Sequence, residues 1–293
     1  MQAPRIQPFF HADTGTWSYV VSSGQDAVVI DPVLDYDPRS GRIATDSARA
    51  LLAYVEAERL RVHRILETHA HADHLSAAAF LRARTAGAVA IGAGIRAVQA
   101  HFAAAFGLAA DDPALAAAFD ATLADGEVIE AGTLWIEVMT TPGHTPDSLS
   151  YRIGDHVFVG DTLFAPDVGA ARCDFPGGDA QALYASVQRL YALPEHVLLW
   201  LCHDYPPAGR EPRASVSVGE SRRENRMLRA DTPLEAFVAA RRARDATLPA
   251  PTLLFPSLQV NIRGGRLPPP EANGRRYLRT PLRIEPPADG LLS

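Results

Sequence analysis

The chain has 293 residues, 47% of them hydrophobic and 21% charged, with a net charge of −6; this fits one large folded domain or one domain with an appendage, and no stretch reaches the roughly 20 apolar residues of a membrane span. All 28 basic residues are arginine, which excludes Schiff-base and pyridoxal chemistry and the P-loop, because each needs a lysine. Residues 1–205 carry 13 Arg against 25 Asp and Glu (−12) and residues 206–293 carry 15 against 9 (+6); an acidic body of that size argues against nucleic acid and for a small anionic ligand.

The N-terminal residues lack the basic start and apolar core of a secretory signal, so the expected compartment is the cytoplasm. Two cysteines, Cys173 and Cys202, are too few for a disulfide framework and are expected as reduced thiols, each more readily a small buried hydrophobe than a reactive group.

In chain order, Trp17–Val21 and Ala27–Ile30 flank a Gly24-Gln25-Asp26 turn and predict a hairpin that runs into Asp31-Pro32. A polar loop, Asp35–Gly41, precedes a helix over 44–60 with Leu51, Leu52 and Val55 on one side. Val62, Ile65 and Leu66 read as a short buried strand; Leu75 to Leu81 reads as the start of a helix that Gly87 stops. Between them lies Glu67-Thr-His69-Ala-His71-Ala-Asp73-His74, with three histidines and a carboxylate in six positions. A helix would put only some of these on a common face, whereas a loop after a strand lets them converge. Neutral imidazole with carboxylate suits zinc or iron. Asp73 also fits a helix cap, but capping leaves the three neighbouring histidines unexplained.

Ala88–Ile91 predicts a strand, 95–106 a helix carrying His101 on its surface, and 111–119 further helix. Asp125-Gly126 turns the chain into an alternating strand, Leu134–Met139, which ends at Thr141-Pro-Gly-His144, a turn that presents His144. Leu149–Ile153 and Val157–Val159 form a second hairpin that runs into Gly160-Asp161-Thr162. A helix over 180–192 and a buried strand over 196–201 lead to Cys202-His203-Asp204-Tyr205. A predicted strand thus ends in His or Asp four times, at His69, His144, Asp161 and His203, a repetition that points to one convergent site. From Pro206 the character changes: 214–246 has helical spacing and holds Arg222, Arg223, Arg226 and Arg229. Nine of the 23 prolines then fall between Pro249 and Pro287, which predicts an extended tail wrapped over the body.

The order Thr68-His69-x-His71-x-Asp73-His74, His144, Asp161, His203 resembles the metallo-β-lactamase superfamily. The resemblance implies an α/β fold, an αββα sandwich of two mixed β-sheets flanked by helices, with the metal at one edge. On it we expect residues 1–248 as the catalytic domain and 249–293 as a proline-rich C-terminal extension packed on the same domain. Asp31–Arg42, Gly169–Gly178, His203-Asp-Tyr205 and Glu220–Asn225 are similar to persulfide dioxygenases. The segment Gln259-Val-Asn-Ile-Arg-Gly-Gly-Arg-Leu-Pro-Pro-Pro is similar to their bacterial β-lactamase-like-hydrolase branch.

That resemblance implies one Fe(II) per chain on His69, His144 and Asp161, a facial set that leaves coordination positions open, as an oxygenase requires. It implies that His71, Asp73, His74 and His203 fix and orient these ligands. It places Arg172, Tyr205, Arg222 and Arg226 around a glutathione persulfide substrate whose two carboxylates suit guanidinium forks. The reaction implied is oxidation of that persulfide by O2 and water to sulfite and glutathione; a homodimer is left open. The same residues also suffice for a binuclear zinc hydrolase of S-acyl-glutathione, of the glyoxalase II kind. Against that reading, glyoxalase II proteins use basic residues including lysine in a helical C-terminal domain. A metal or persulfide sensor without catalysis would need a partner surface, of which the sequence gives no sign.

Overall fold

The structure, a computed structural model, describes residues 3–109, 112–282 and 284. The first half of the chain runs β1 (Arg5–His11), β2 (Thr16–Ser23), β3 (Asp26–Ile30), β4 (Val33–Leu34), β5 (Tyr36–Asp37), β6 (Arg42–Ile43), α1 (Asp46–Ala57), β7 (Arg61–Leu66), β8 (Leu75–Ser76), α2 (Ala78–Arg82), β9 (Ala88–Gly92), α3 (Ile95–Phe106), α4 (Pro113–Ala116) and β10 (Ala121–Leu123). The second half adds β11 (Val128–Ala131), β12 (Leu134–Thr140), β13 (Leu149–Ile153), β14 (His156–Phe158), α5 (Ala180–Tyr191), β15 (Leu198–Trp200), β16 (Ser215–Ser217), α6 (Val218–Glu224), α7 (Leu234–Asp245) and α8 (Leu254–Asn261).

Two mixed six-stranded sheets result, in the orders β1-β2-β3-β7-β9-β10 and β11-β12-β13-β14-β15-β16. In the first, β3, β7, β9 and β10 are parallel to one another; in the second, β14 and β15 are the parallel pair. β2 and β3 are buried on both faces because both faces are covered. Along β2 and β3, Tyr19, Val21, Val28 and Ile30 meet Ile136, Val138, Leu149 and Tyr151 of the other sheet. The intervening Val20, Ala27 and Val29 face Leu51 and Val55 of α1 and Leu81 of α2, as the two-residue period of a strand requires. On the outer face of the second sheet, Leu183, Val187 and Leu190 of α5 pack with Val157, Leu199 and Phe237 of α7. The chain therefore forms the expected sandwich of two mixed sheets between helices.

Four local expectations are corrected. The helix expected from Leu75 starts only at Ala78, because Leu75 and Ser76 pair with Leu34 and Val33. The helix expected over 111–119 is the single turn α4, capped by Asp112 on the Ala114 N–H, and Ala110–Asp111 lie outside the described residues. The helical spacing over 214–246 resolves into β16, α6 and α7, since the Asn225 side chain takes the N–H groups of Met227 and Leu228 into a turn and Pro233 cannot continue a helix. Finally, the proline-rich tail is not wholly extended. Pro256 sits in the first turn of α8, where its missing N–H costs no intrahelical bond, and Leu258, Val260 and Ile262 are buried against the body. The tail beyond 284 lies outside the described residues.

Candidate metal centre

Parallel neighbours end at the same edge of a sheet, so β3 and β7 deliver Asp31 and the His69–His74 loop side by side, while β14 and β15 deliver Asp161 and His203. The loop after β12 brings His144 to the same point. Two donor groups result. In one, His69 Nε2 and His144 Nε2 lie 3.8 and 3.6 Å from Asp161 Oδ2. In the other, His71, Asp73, His74 and His203 gather with their donor atoms within 4.8 Å of one another. His203 Nε2 lies 3.2 Å from Asp73 and 3.4 Å from Asp161 Oδ1, so Asp161 borders both groups.

Each ring is fixed from behind. His144 Nδ1 donates to the Arg172 carbonyl (2.7 Å), His69 Nδ1 is 3.1 Å from Thr68 Oγ1, and His203 Nδ1 is 3.2 Å from Thr16 Oγ1. Such contacts select the tautomer whose Nε2 lone pair faces inward. His71 is turned round: its Nε2 meets Asp31 (3.0 Å) and Glu67 (3.3 Å), leaving Nδ1 toward the other histidines. Asp31 also accepts from the Thr68 N–H and hydroxyl at 2.7 and 2.9 Å, and Asp147 accepts from the Ala70 N–H at 2.8 Å, joining this loop to that of His144.

The chemistry of the donor set fits a metal ion. His69 Nε2, His71 Nδ1, His74 Nε2, His203 Nε2, Asp73 Oδ2 and Asp161 Oδ1 are all buried without a hydrogen-bond partner, an expensive arrangement for a polar cluster that only a cation relieves at every atom. Electrostatics agree. Burial, reinforced by the neighbouring imidazoles, holds His69 well below its ordinary value and His74 down to about 4, so both rings offer lone pairs at neutral pH. Burial alone would raise the Asp73 carboxyl, but the His203 and His74 rings outweigh it and keep it ionised. His71 differs: burial opposes its charge, yet the Asp31 and Glu67 carboxylates raise it well above its usual value, so this ring holds its proton unless a cation displaces it.

The centre lies at the floor of a cleft of about 1070 Å³, into which Asp73, His144 and Asp161 open. Tyr205 and Arg172 line it. The Arg172 guanidinium is engaged by Asp174 (2.5 and 2.6 Å) and donates to the Pro249 carbonyl. Arg222 and Arg226 are not part of the lining, which corrects their expected placement: Arg222 sits on α6, 3.8 Å from Glu195, and Arg226 donates to the Asp167 carbonyl. The arginines that do line the cleft with Arg172 are Arg39, Arg42, Arg241 and Arg244, and Arg241 is buried and paired with Asp245. Arg39 and Arg42 belong to the polar segment after Asp31, where no local pattern distinguishes a cleft-lining arginine from a solvated one. Asp31, Glu67 and Asp147 were also missed, although Asp31 follows an apolar strand as Asp161 does.

With this fold and donor set on hand, comparison assigns the class. The model of the metallo-beta-lactamase superfamily matches residues 12–203, and the chain belongs to that superfamily. It is 47% identical over 287 residues to the "Beta-lactamase hydrolase-like protein" of Xylella fastidiosa, covering 96% of this chain and 65% of that one, so it spans about two thirds of that relative's length. It is 43% identical to "Glyoxylase B2" of Dictyostelium discoideum, over 94% of this chain and 96% of the relative, and 29% identical to the human mitochondrial "Persulfide dioxygenase ETHE1" over 68% of each. Among solved structures, ETHE1 from Myxococcus xanthus superimposes with a TM-score of 0.72 at 29% identity, covering 89% of this chain and all of the other. Among the described residues, no helix is long and apolar enough to cross a membrane.

Proposed function

We propose that this chain is a glutathione-dependent persulfide dioxygenase that holds one Fe(II) on His69, His144 and Asp161. The observation that carries this reading is the set of two imidazoles and one carboxylate around a single point, two of the three opening onto a cleft large enough for a tripeptide. The match to the full length of the Myxococcus ETHE1 chain supports it. A 2-His-1-carboxylate iron supplies open positions for a sulfur ligand and dioxygen. In the net reaction, glutathione persulfide, O2 and water give glutathione and sulfite; the terminal sulfur is oxidised, dioxygen is reduced, and the S–S bond breaks.

The chain's own residues do the positioning. Thr68 and the Arg172 carbonyl hold the two rings, Asp73 and His203 stand beside Asp161, and the arginines of the cleft wall face the substrate carboxylates. The cytoplasm remains the proposed compartment, and residues 1–248 with the packed tail the proposed organisation.

One observation favours a second reading. The group His71, Asp73, His74 and His203 also presents buried, unpartnered donor atoms next to Asp161, which suits a two-metal thioester hydrolase like the glyoxylase relative. Replacement of single residues separates the two. Under the one-iron reading, His69→Ala, His144→Ala and Asp161→Ala lose the metal, whereas His74→Ala and His203→Ala keep most of it and lose turnover. Equal metal loss in His203→Ala and His69→Ala is the result that contradicts the one-iron reading.

A further inference from the structure

The loop that carries three of the histidines has no backbone scaffold of its own. Among the described residues, none of the backbone–backbone hydrogen bonds outside the helices and strands involves a group of His69–His74, although the loop is buried from His69 to Ala72 and again at His74. Buried peptide groups need partners, and here they come from two side chains. Asp147 takes the Ala70 N–H at one end. At the other end stands Asn261, the last residue of α8 in the proline-rich tail, nearly 190 positions away in sequence. Its Nδ2 donates to the carbonyls of both His71 and His74, each at 2.8 Å, and its Oδ1 accepts from the Ser76 N–H at 2.8 Å. The side chain is 4% exposed, and one rigid amide plane thereby fixes three points of the loop.

We propose that Asn261 is a positioning residue of the metal centre: by bridging the carbonyls of His71 and His74 it fixes the backbone of the loop whose first residue is the ligand His69, so that loosening the loop displaces that ligand, which truncating the His74 side chain does not. This rests on the reading of the site as a metal centre. It also gives the tail a role beyond covering the body, because α8 is the only element among the described residues that ties these two carbonyls together. Ser76 extends the network inward: its hydroxyl donates to Glu67, whose other oxygen faces His71 Nε2. The ring orientation and the loop spacing are therefore fixed from one contiguous network. The expected cost of loosening such support is a tenfold or greater loss of metal affinity.

Gln259 provides the control. It lies on the same helix and is equally buried, but its amide bonds the Phe255 and Arg279 carbonyls and the Arg279 N–H and touches nothing in the loop. Cobalt(II) is titrated into metal-free wild type, Asn261→Ala, Asn261→Asp and Gln259→Ala, with visible absorption and chelator competition as readouts and melting temperature recorded for each. Asn261→Asp keeps the side chain's size and its acceptor toward Ser76 and so remains testable if the alanine variant fails to fold. The expected result is at least tenfold weaker cobalt binding and an altered ligand-field spectrum in the Asn261 variants, with Gln259→Ala within twofold of wild type at a similar loss of melting temperature. Affinity and spectrum unchanged in the Asn261 variants, or lost equally in Gln259→Ala, overturn the proposal. Failure of the wild type itself to take up cobalt overturns the metal-centre reading instead, and the proposal with it.

Discussion

The Asp31 carboxylate lies 3.0 Å from His71 Nε2 and holds, with its two oxygens, the Thr68 N–H and hydroxyl as well. One side chain at the end of β3 thus turns an imidazole on the neighbouring strand's loop so that its Nδ1 faces the metal centre. Asp31 also has a positive φ of 49°, a conformation that Asn and Asp tolerate better than other residues with a side chain.

Asp31→Ala is therefore expected to lower stability by about 3–5 kcal/mol, the usual cost of removing one partner of a buried ion pair. Asp31→Asn, which suits the backbone and retains hydrogen bonding, should cost less than half of that. Denaturant titration of the metal-free proteins gives both numbers. Equal losses would mean that the charge against His71, which both replacements remove, carries the whole effect.

A second carboxylate ties the two sheets. Asp26 accepts from His63 (2.7 Å), Arg61 (2.9 Å) and the Thr133 N–H (2.9 Å), and Gly132 approaches it so closely that a Cβ there would stand 2.1 Å from the carboxyl carbon. The His63 hydrogen bond outweighs the opposing effect of burial and, with the hydrogen bonds from Thr133 and Arg61, holds its carboxyl well below the usual range. A carboxyl depressed in the folded state contributes stability that is present above its unfolded value of about 3.9 and is lost as pH falls through the folded value. Wild type should exceed Asp26→Asn in stability at pH 6 and converge toward it below about pH 4. A difference that stays constant down to pH 3 would contradict this assignment.

Arginine placement yields a third expectation. Arg172 lines the cleft and its carbonyl holds His144, whereas Arg222 faces Glu195 on α6. Arg172→Ala should raise KM for glutathione persulfide about tenfold, roughly 1.4 kcal/mol, with metal content retained because the backbone carbonyl remains. Arg222→Ala should leave KM within twofold of wild type. A tenfold effect at Arg222 would show that the substrate reaches beyond the cleft described here.

The strand ends were legible because each of these strands closes on buried apolar residues, at Leu66, Met139, Phe158 and Leu199, so the first His or Asp after it stands out at His69, His144, Asp161 and His203. The same rule reaches Asp31, but a single carboxylate before proline gives no sign of the histidine it orients. Arg222 was misplaced because an arginine on an exposed helix follows the same local pattern whether that face meets a substrate or solvent. Proline count hid α8, since one proline in a first turn is compatible with a helix and the count ignores position. The role of Asn261 depends on contacts between residues 259–265 and 71–79 that no local pattern encodes.

The most direct test of the central claim is to measure metal content and oxygen uptake on one preparation of the purified chain. The account predicts about one iron per chain and, with glutathione persulfide, consumption of one O2 for each sulfite formed. Two zinc ions per chain, rapid cleavage of a lactoylglutathione thioester and no oxygen uptake would contradict it.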